Sequence, residues 1–307
     1  MDVREEYEYV VSKVVGRKME ERPGLLEVVE EVCKGGNVIL SAPPGYGKTN
    51  ITYALAYLAS KSLGPWPPRV VHVLPLRSIV EDIYRRIFVD GKSKLEGLDE
   101  GNVARQMMGY SESPYLQKTL VLTTIDTYTF TQLRIPPGDA LKIRWGVSLG
   151  HGEYSRSALL ASATIFDEVQ LFIEEDSKLA TIMDSLLSWL NYTKTPVVVM
   201  SATMPKVYEE FISRGKRAFK VLRYGVHFKS LDFENSRLSN RISCTCYNVN
   251  GLNEYVFKAL EVIKEYNPER TLIVVNTVSK AVKIAKSLRE FNPIVIHGRI
   301  ILSLIHI

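Results

Sequence analysis

The stretch that decides the fold is Val38-Ile39-Leu40-Ser41-Ala42-Pro43-Pro44-Gly45-Tyr46-Gly47-Lys48-Thr49. An apolar run followed by small residues, glycines and Lys-Thr predicts a strand, a phosphate loop and the first turn of a helix. The usual loop pattern is Gly-x-x-x-x-Gly-Lys-Ser/Thr, and Ala42 replaces the leading Gly. The alternative is a simple Gly-Pro turn, but such turns seldom carry Gly-x-Gly-Lys-Thr after a buried strand. We therefore predict a nucleotide-binding site.

The chemistry of this loop assigns a task to each residue type. Gly45 and Gly47 let the backbone turn its N–H groups toward a polyphosphate, and the following helix adds its positive dipole. Lys48 brings a cation to the β- and γ-phosphates, and Thr49 is placed to hold Mg²⁺. We expect Lys48 to be exposed in the loop. The predicted nucleotide-binding residues are Pro44, Gly45, Tyr46, Gly47, Lys48 and Thr49.

Composition limits the remaining possibilities. A chain of 307 residues, 46% of them hydrophobic, is long enough for two domains with real cores. The cysteines, Cys33 and the pair Cys244 and Cys246, lack the clustered partners of a metal site and indicate free thiols in a reducing cytoplasm. The five histidines are scattered along the sequence. The adjacent His-Asp pair that would indicate a metal-dependent phosphohydrolase is missing from the sequence. Because no apolar run has the length of a membrane span, we predict a cytoplasmic protein without a membrane partner.

Polar clusters follow each of four further apolar runs. The runs 69–75, 119–124, 161–166 and 196–200 are typical of strands buried in a parallel sheet. Ligands bind outside the carboxyl ends of such strands, so the clusters are expected to share one crevice with the phosphate loop. The sequence therefore predicts an α/β fold with a parallel sheet flanked by helices. The segment 90–115, with four glycines, is predicted to be a loop-rich insertion.

Asp167-Glu168 follows the third of these runs. After a phosphate loop, an Asp at a strand end holds Mg²⁺, and the adjacent Glu can orient and deprotonate the attacking water. Taken alone, such a pair is usually a solvated helix start. Its combination with the phosphate loop favours the catalytic interpretation. Ser201-Ala202-Thr203, taken alone, could be only a helix N-cap.

In this order, the phosphate loop, Asp167-Glu168-Val169-Gln170 and Ser201-Ala202-Thr203 resemble the motifs of superfamily 2 helicases, which are motors with two RecA-like domains. Within that superfamily, the chain is most similar to the CRISPR-associated helicase of type I interference systems, in the archaeal form without a fused HD nuclease. The stretches that carry this narrower resemblance are Pro75–Ser78, Thr123–Asp126, Ile165–Gln170 and Val274–Val278 with Ala281.

The resemblance implies a role for each matching residue. Lys48 and Glu168 would be catalytic together with Gln170, Thr49 and Asp167 would hold Mg²⁺, and Ser201, Ala202 and Thr203 would couple ATP to grip on the strand. The implied nucleic-acid contacts are Arg77, Thr124, Asp126, Asn276 and Arg299. A solvated helix-start residue is the alternative for Arg77.

Two positions depart from the family's pattern. Gln170 stands where many relatives have His, which keeps a hydrogen-bonding side chain but not a titratable one. The stretch Arg22-Pro23-Gly24-Leu25 lacks the Gln with which many relatives read adenine. This stretch therefore does not supply the residue that would select adenine in the predicted ATP site.

The implied function is an ATP-dependent DNA helicase or translocase with ATP and Mg²⁺ as cofactors. Its implied partners are DNA, as a single strand or R-loop, a separate HD-type nuclease and a crRNA-guided surveillance complex. Two alternatives stay open, a generic superfamily 2 RNA or DNA helicase and a nucleotide-switched nucleic-acid-binding module that does not unwind.

The predicted domain order begins with a RecA-like ATP-binding domain, 1–225, and a connector, 226–250. A second RecA-like domain starts at 251–301, with a predicted buried strand at 271–276, and is expected to be truncated. The last six residues, 302–307, resemble a translated transposon end used in sequencing libraries, and we expect them to be an artefact. A fragment ending there is expected to be inactive in unwinding.

Overall fold

Strands and helices alternate along most of the chain. The computed structural model describes residues 2–15, 22–61, 66–89, 92–173, 178–238 and 244–295. Among these residues the strands are β1 (Asn37–Ser41), β2 (Arg69–Leu74), β3 (Phe88–Val89), β4 (Lys92–Ser93), β5 (Val103–Met107), β6 (Tyr110–Ser111), β7 (Leu120–Thr124), β8 (Ser162–Phe166), β9 (Val197–Ser201) and β10 (Phe219–Arg223). The helices are α1 (Val3–Val15), α2 (Leu25–Cys33), α3 (Thr49–Ser60), α4 (Arg77–Ile87), α5 (Ile125–Gln132), α6 (Ala140–Arg144), α7 (His151–Leu160), α8 (Lys178–Tyr192), α9 (Lys206–Ser213), α10 (Leu231–Leu238), α11 (Leu252–Tyr266) and α12 (Val278–Ser287).

One sheet organises the first of two units, residues 1–239. Its strand order is β10-β1-β9-β8-β2-β7-β5-β6, in which only the edge pair β5–β6 is antiparallel. Every residue of β1, β7, β8 and β9 is buried, which explains why these strands are continuous apolar runs rather than alternating ones. The predicted α/β fold with a parallel sheet flanked by helices is confirmed.

Each face of the sheet carries its own core. Val38 and Leu40 of β1 pack into a cluster with the apolar sides of α1 to α4. Ile39, between them, packs into the opposite cluster with residues of α5, α8 and α9. Successive side chains of a strand point to opposite faces, so a fully apolar strand joins both cores.

Two parts of the first unit differ from the sequence interpretation. The predicted loop-rich insertion contains β5, which pairs in parallel with β7 inside the main sheet, so that prediction is wrong for 103–107. Residues from the predicted connector pack into the first unit, where Phe228 and Phe233 lie around the ring of Tyr46. The first unit therefore extends beyond residue 225, to residue 239.

The second unit, residues 240–307, contributes α11 and α12 to the described structure. The prediction of a buried strand at 271–276 is wrong. These residues form no strand, and Leu272 and Val274 are 88% and 77% exposed. A strand is stabilised by pairing with neighbouring strands, and the described residues of this unit form no strand that could pair with 271–276. Arg299 and the tail 302–307 lie outside the described residues. No described helix combines the length and the hydropathy needed to cross a bilayer.

We predict that Phe233→Ala destabilises the first unit by about 3 kcal/mol or more, because its buried ring packs edge-on against Tyr46. The matched control is Leu231→Ala in the same helix, whose side chain is 73% exposed and whose removal should change stability by less than about 0.5 kcal/mol. Urea unfolding of both variants measures this. Equal effects would show that α10 does not belong to the core.

Candidate functional site

The strand order brings the predicted clusters to neighbouring strand ends. Strands β1, β9, β8, β2 and β7 are consecutive in the sheet, and each is followed by one cluster. Backbone hydrogen bonds continue past the strand ends, from Ala42 N to Ser201 O at 3.2 Å and from Asp167 N to Val73 O at 3.0 Å. The phosphate loop, Asp167 and Ser201 thus lie along one edge of the sheet, as a crevice at the carboxyl ends requires.

The phosphate loop turns at its two glycines. Gly45 and Gly47 have φ angles of 78° and 99°, in the left-handed region that glycine adopts without strain. A Cβ on Gly47 would also lie 3.1 Å from Nδ2 of Asn50. Helix α3 begins at Thr49 directly after the loop, so its free N–H groups lie at the same place. A turn followed by a helix start is a suitable cradle for phosphate.

The side chain of Tyr46 faces away from the cradle. Its ring is fully buried against Tyr224, Phe228 and Phe233, and its hydroxyl donates a hydrogen bond to Pro23 O at 2.8 Å. The ring therefore anchors the loop to the core, and only the backbone of Tyr46 can face a ligand. Pro44, two residues earlier, is exposed.

Lys48 is buried, and the expectation that it is exposed is wrong. Its side chain lies beneath the loop, where Nζ donates a hydrogen bond to Ala42 O at 2.7 Å. Burial lowers the pKa of Lys48, while the charges of Asp167 and Glu168 act in the opposite direction. The ammonium is thus bonded to the loop backbone and attracted by the charges of the two carboxylates.

Glu168 occupies a strained backbone conformation. Its φ and ψ are 50° and 45°, in the left-handed region, which costs a non-glycine residue about 1–3 kcal/mol. Such strain is typical of functional sites. The turn allows Glu168 N to donate to Oδ1 of the buried Asp167 at 2.9 Å, which holds that carboxylate at the strand end.

A chain of hydrogen bonds joins Glu168 to the end of β9. Gln170 Nε2 donates to Glu168 Oε2 at 2.6 Å. Ser201 Oγ lies 2.6 Å from Gln170 Oε1 and 2.5 Å from Thr203 O, and either oxygen can accept its single proton. Thr203 N in turn donates to Ser201 Oγ at 3.1 Å, across Ala202. The amide of Gln170 therefore bridges the predicted base and the predicted coupling segment.

The predicted nucleic-acid contacts in the first unit follow two neighbouring strands. Arg77 is exposed at the start of α4, after β2, with Nη2 3.0 Å from Met108 Sδ. Asp126 is exposed in the first turn of α5, after β7. Thr124 is buried, and its hydroxyl donates to Thr127 Oγ1 at 3.4 Å. Arg77 and Asp126 therefore offer side chains at this edge, whereas the Thr124 side chain does not.

Asn276 belongs to the second unit. Its side chain is exposed, and its Oδ1 accepts a hydrogen bond from Lys280 Nζ at 3.2 Å. It immediately precedes Thr277, the N-cap of α12, whose side chain accepts from Lys280 N.

Sequence reasoning missed His72 and Thr52. His72 is completely buried in β2, with Nδ1 3.0 Å from Thr52 Oγ1 and Nε2 3.6 Å from Asp167 Oδ2. The histidines are scattered along the sequence, but one of them lies beside the predicted Mg²⁺ ligand. The sequence feature that could have identified His72 is its position as a single ionisable residue inside an apolar run, Val70-Val71-His72-Val73-Leu74.

The donor atoms fit a nucleotide with Mg²⁺. Mg²⁺ is a hard cation that takes one or two protein oxygens together with phosphate oxygens and water. A hydroxyl at Thr49 and a carboxylate at Asp167 are of that type, and Lys48 supplies a cation for the phosphates. The buried Nε2 of His72, which has no hydrogen-bond partner within the described part of the chain, is a further polar atom on the Asp167 side.

A phosphate loop beside an Asp-Glu pair, at the strand ends of a parallel α/β sheet, is the arrangement of a P-loop nucleotide-binding domain. The chain belongs to the DEAD/DEAH box helicase family, whose model matches residues 23–211. It is 27% identical over 288 residues to the CRISPR-associated helicase Cas3 of Thermoproteus tenax, which covers 89% of this chain and 44% of that protein. The chain thus spans less than half the length of this curated relative.

Two solved structures match parts of the chain. S. cerevisiae Dbp5 L327V bound to RNA and ADP BeF3 matches with a TM-score of 0.55 and 12% identity, over 92% of this chain and 68% of that one. A CRISPR RNA-guided surveillance complex, pre-nicking, matches with a TM-score of 0.41 and 20% identity, over 65% of this chain and 20% of that one. The first of these supports the RecA-like fold.

We predict that Lys48→Met weakens binding of a fluorescent ATP analogue by about 10- to 100-fold, because a charge-assisted contact to phosphate is lost. Stability should change by less than about 2 kcal/mol, since the variant leaves Ala42 O unpaired but no longer buries an ammonium. The control is Lys34→Met, an exposed residue before the amino end of β1. Unchanged affinity in Lys48→Met would contradict the assignment.

Proposed function

We propose that this chain is the ATP-binding part of a DNA helicase or translocase that is driven by ATP hydrolysis with Mg²⁺. The observation that carries the proposal is the continuous contact from Glu168 through Gln170 to Ser201, beside the buried Lys48. A site that only bound nucleotide would not need its base linked to a neighbouring strand end. Membership in the helicase family supports the same conclusion.

The proposed chemistry divides the work among the residues of the crevice. Backbone N–H groups of Gly45 to Thr49 and the ammonium of Lys48 bind and orient the phosphates. Thr49 and Asp167 would hold Mg²⁺, which would neutralise charge on the phosphates. Glu168 accepts the proton of the attacking water. Gln170 fixes the direction of the Glu168 carboxylate by donating to Oε2.

Coupling to nucleic acid follows from the same contacts. Movement of Glu168 on hydrolysis reaches Ser201 through Gln170, and Ser201 contacts Thr203 directly. Arg77 and Asp126, further along this sheet edge, are the proposed nucleic-acid contacts of the first unit, with Asn276 and Arg299 in the second. Because phosphates dominate such contacts, binding should weaken with rising salt.

We further propose the biological system in which this helicase acts. Similarity to a Cas3 helicase over 89% of the chain supports a role in a type I CRISPR interference system. DNA, as a single strand or R-loop, is then the substrate, and a crRNA-guided surveillance complex delivers it. A separate HD-type nuclease would cut the unwound strand, in the cytoplasm.

We predict different defects for the two carboxylates. Glu168→Gln keeps the shape and the contact to Gln170 but removes the base, so ATP turnover should fall by about two to four orders of magnitude while nucleotide still binds. Asp167→Asn should instead raise the Mg²⁺ concentration needed for binding. Glu8→Gln, at an exposed position of α1, is the control. If both site variants bind nucleotide alike, the division of roles is wrong.

Assays of ATP hydrolysis and strand separation with the full-length protein test the proposal as a whole. With ATP and Mg²⁺, single-stranded DNA should stimulate hydrolysis, and a DNA duplex with a single-stranded tail should be separated. Ser201→Ala should hydrolyse ATP but separate strands poorly, because the contact from Gln170 to β9 is lost. Stimulation by RNA alone would indicate a generic RNA helicase. ATP-dependent binding without hydrolysis would indicate a nucleotide-switched binding module.

A further inference from the structure

A histidine lies among the otherwise apolar residues 70–74 of β2. His72 is in the interior of β2, opposite Ile165 of β8 in the register, and none of its surface is exposed. Burying an imidazole without partners for its nitrogens costs free energy, so a buried polar side chain needs a reason. The strand positions on either side, Val71 and Val73, are apolar and buried.

The two ring nitrogens of His72 face different partners. Nδ1 lies 3.0 Å from Thr52 Oγ1, on the helix that begins at the phosphate loop. Nε2 lies 3.6 Å from Asp167 Oδ2, just beyond hydrogen-bond distance, and has no other partner among the described residues. The separation leaves no room for a water molecule between them.

These contacts select one tautomer of the ring. If the Thr52 hydroxyl donates to Nδ1, the proton is on Nε2 and points toward a carboxylate oxygen. In the opposite tautomer, the lone pair of Nε2 would face that oxygen and repel it. The favourable arrangement is therefore Thr52 O–H to Nδ1, with Nε2–H directed at Asp167.

Each oxygen of Asp167 faces an N–H group. Oδ1 accepts from Glu168 N at 2.9 Å, and Oδ2 faces His72. A carboxylate oxygen has more than one lone pair, so each oxygen can accept a hydrogen bond and still serve a cation. Carboxylates that hold metal ions are commonly fixed by such outer hydrogen bonds, and loss of the outer partner typically costs about 10- to 100-fold in metal affinity or activity.

We propose that His72 is a positioning residue for Mg²⁺–nucleotide binding, which orients the Asp167 carboxylate through Nε2–H and is itself held by Thr52. This inference rests on the proposed role of Asp167. It ties helix α3, which starts at the phosphate loop, to the strand end that carries Asp167. The pair His72 and Thr52 thus sets the geometry of the cation site from inside the core.

The first test needs no nucleotide. NMR of the histidine ring nitrogens, recorded on the labelled full chain at neutral pH, shows which nitrogen carries the proton. The His72→Gln variant assigns the signal, because it lacks the His72 ring. A proton on Nε2, with a signal that shifts in Asp167→Asn, is expected. A proton on Nδ1 alone, or a signal indifferent to Asp167→Asn, would overturn the proposal whatever the protein does with ATP.

The second test measures the Mg²⁺ dependence of binding of a fluorescent, non-hydrolysable ATP analogue. His72→Phe fills the space without a donor and should raise the Mg²⁺ concentration at half-saturation by about 10- to 100-fold. His72→Gln places an N–H near the position of Nε2 and should recover much of that loss. Binding of the analogue without Mg²⁺ should be the same in both variants and the wild type.

Thr52→Val and a matched control complete the test. Thr52→Val removes the hydroxyl that fixes Nδ1, so it should also raise the Mg²⁺ requirement. Thr131→Val, a buried helical threonine whose hydroxyl donates to Thr127 O, should not. If His72→Phe and His72→Gln behave alike, or if Thr131→Val has the effect of Thr52→Val, His72 acts through packing only and the proposal is wrong. A wild-type chain that binds no nucleotide contradicts the proposed function, and the NMR result still decides whether Nε2–H of His72 is directed at Asp167.

Discussion

Burial of the Lys48 ammonium is the constraint on which the rest of the site depends. A buried charge without compensation is strongly destabilising, and here the compensation comes from Ala42 O and from the carboxylates of Asp167 and Glu168. Those carboxylates follow β8, whereas Lys48 follows β1, with β9 between the two strands. The parallel order β1-β9-β8 is therefore what makes a buried lysine tolerable, and it also places Ser201 beside both.

The same packing makes the site a strained and connected unit. Glu168 stays in a left-handed conformation because the hydrogen bonds of Asp167 and Gln170 on either side of it hold the turn. Gln170 keeps a donor and an acceptor in use at once, toward Glu168 and Ser201. A neutral amide can make both contacts at any physiological pH, which a histidine at this position could do only in one tautomer.

The sequence predicts those parts of the fold that follow from local pattern. Strands buried on both faces are continuous apolar runs, so β1, β2, β7, β8 and β9 were predicted close to their observed bounds. Strand β5 was missed because Arg105 and Gln106 interrupt its apolar pattern, and the guanidinium of Arg105 is held by Glu81 and Glu112 from other elements. Residues 271–276 are the opposite case, in which a strand is predicted but not observed. They carry the pattern of a buried strand, but pairing depends on neighbours that local pattern does not contain.

The candidate site shows the same division. Motif spacing is sufficient to name Lys48, Asp167 and Glu168, because the chain itself fixes their positions after strands. Spacing cannot reveal that Tyr46 points into the core or that Lys48 is buried, since both depend on residues far along the sequence, such as Phe233 and Asp167. His72 and Thr52 are the clearest case: neither stands in a motif, and their relation to Asp167 exists only through the pairing of β2 with β8. A polar residue inside an apolar strand that ends at a catalytic edge is therefore worth testing as part of the site, because the sheet leaves it few other partners.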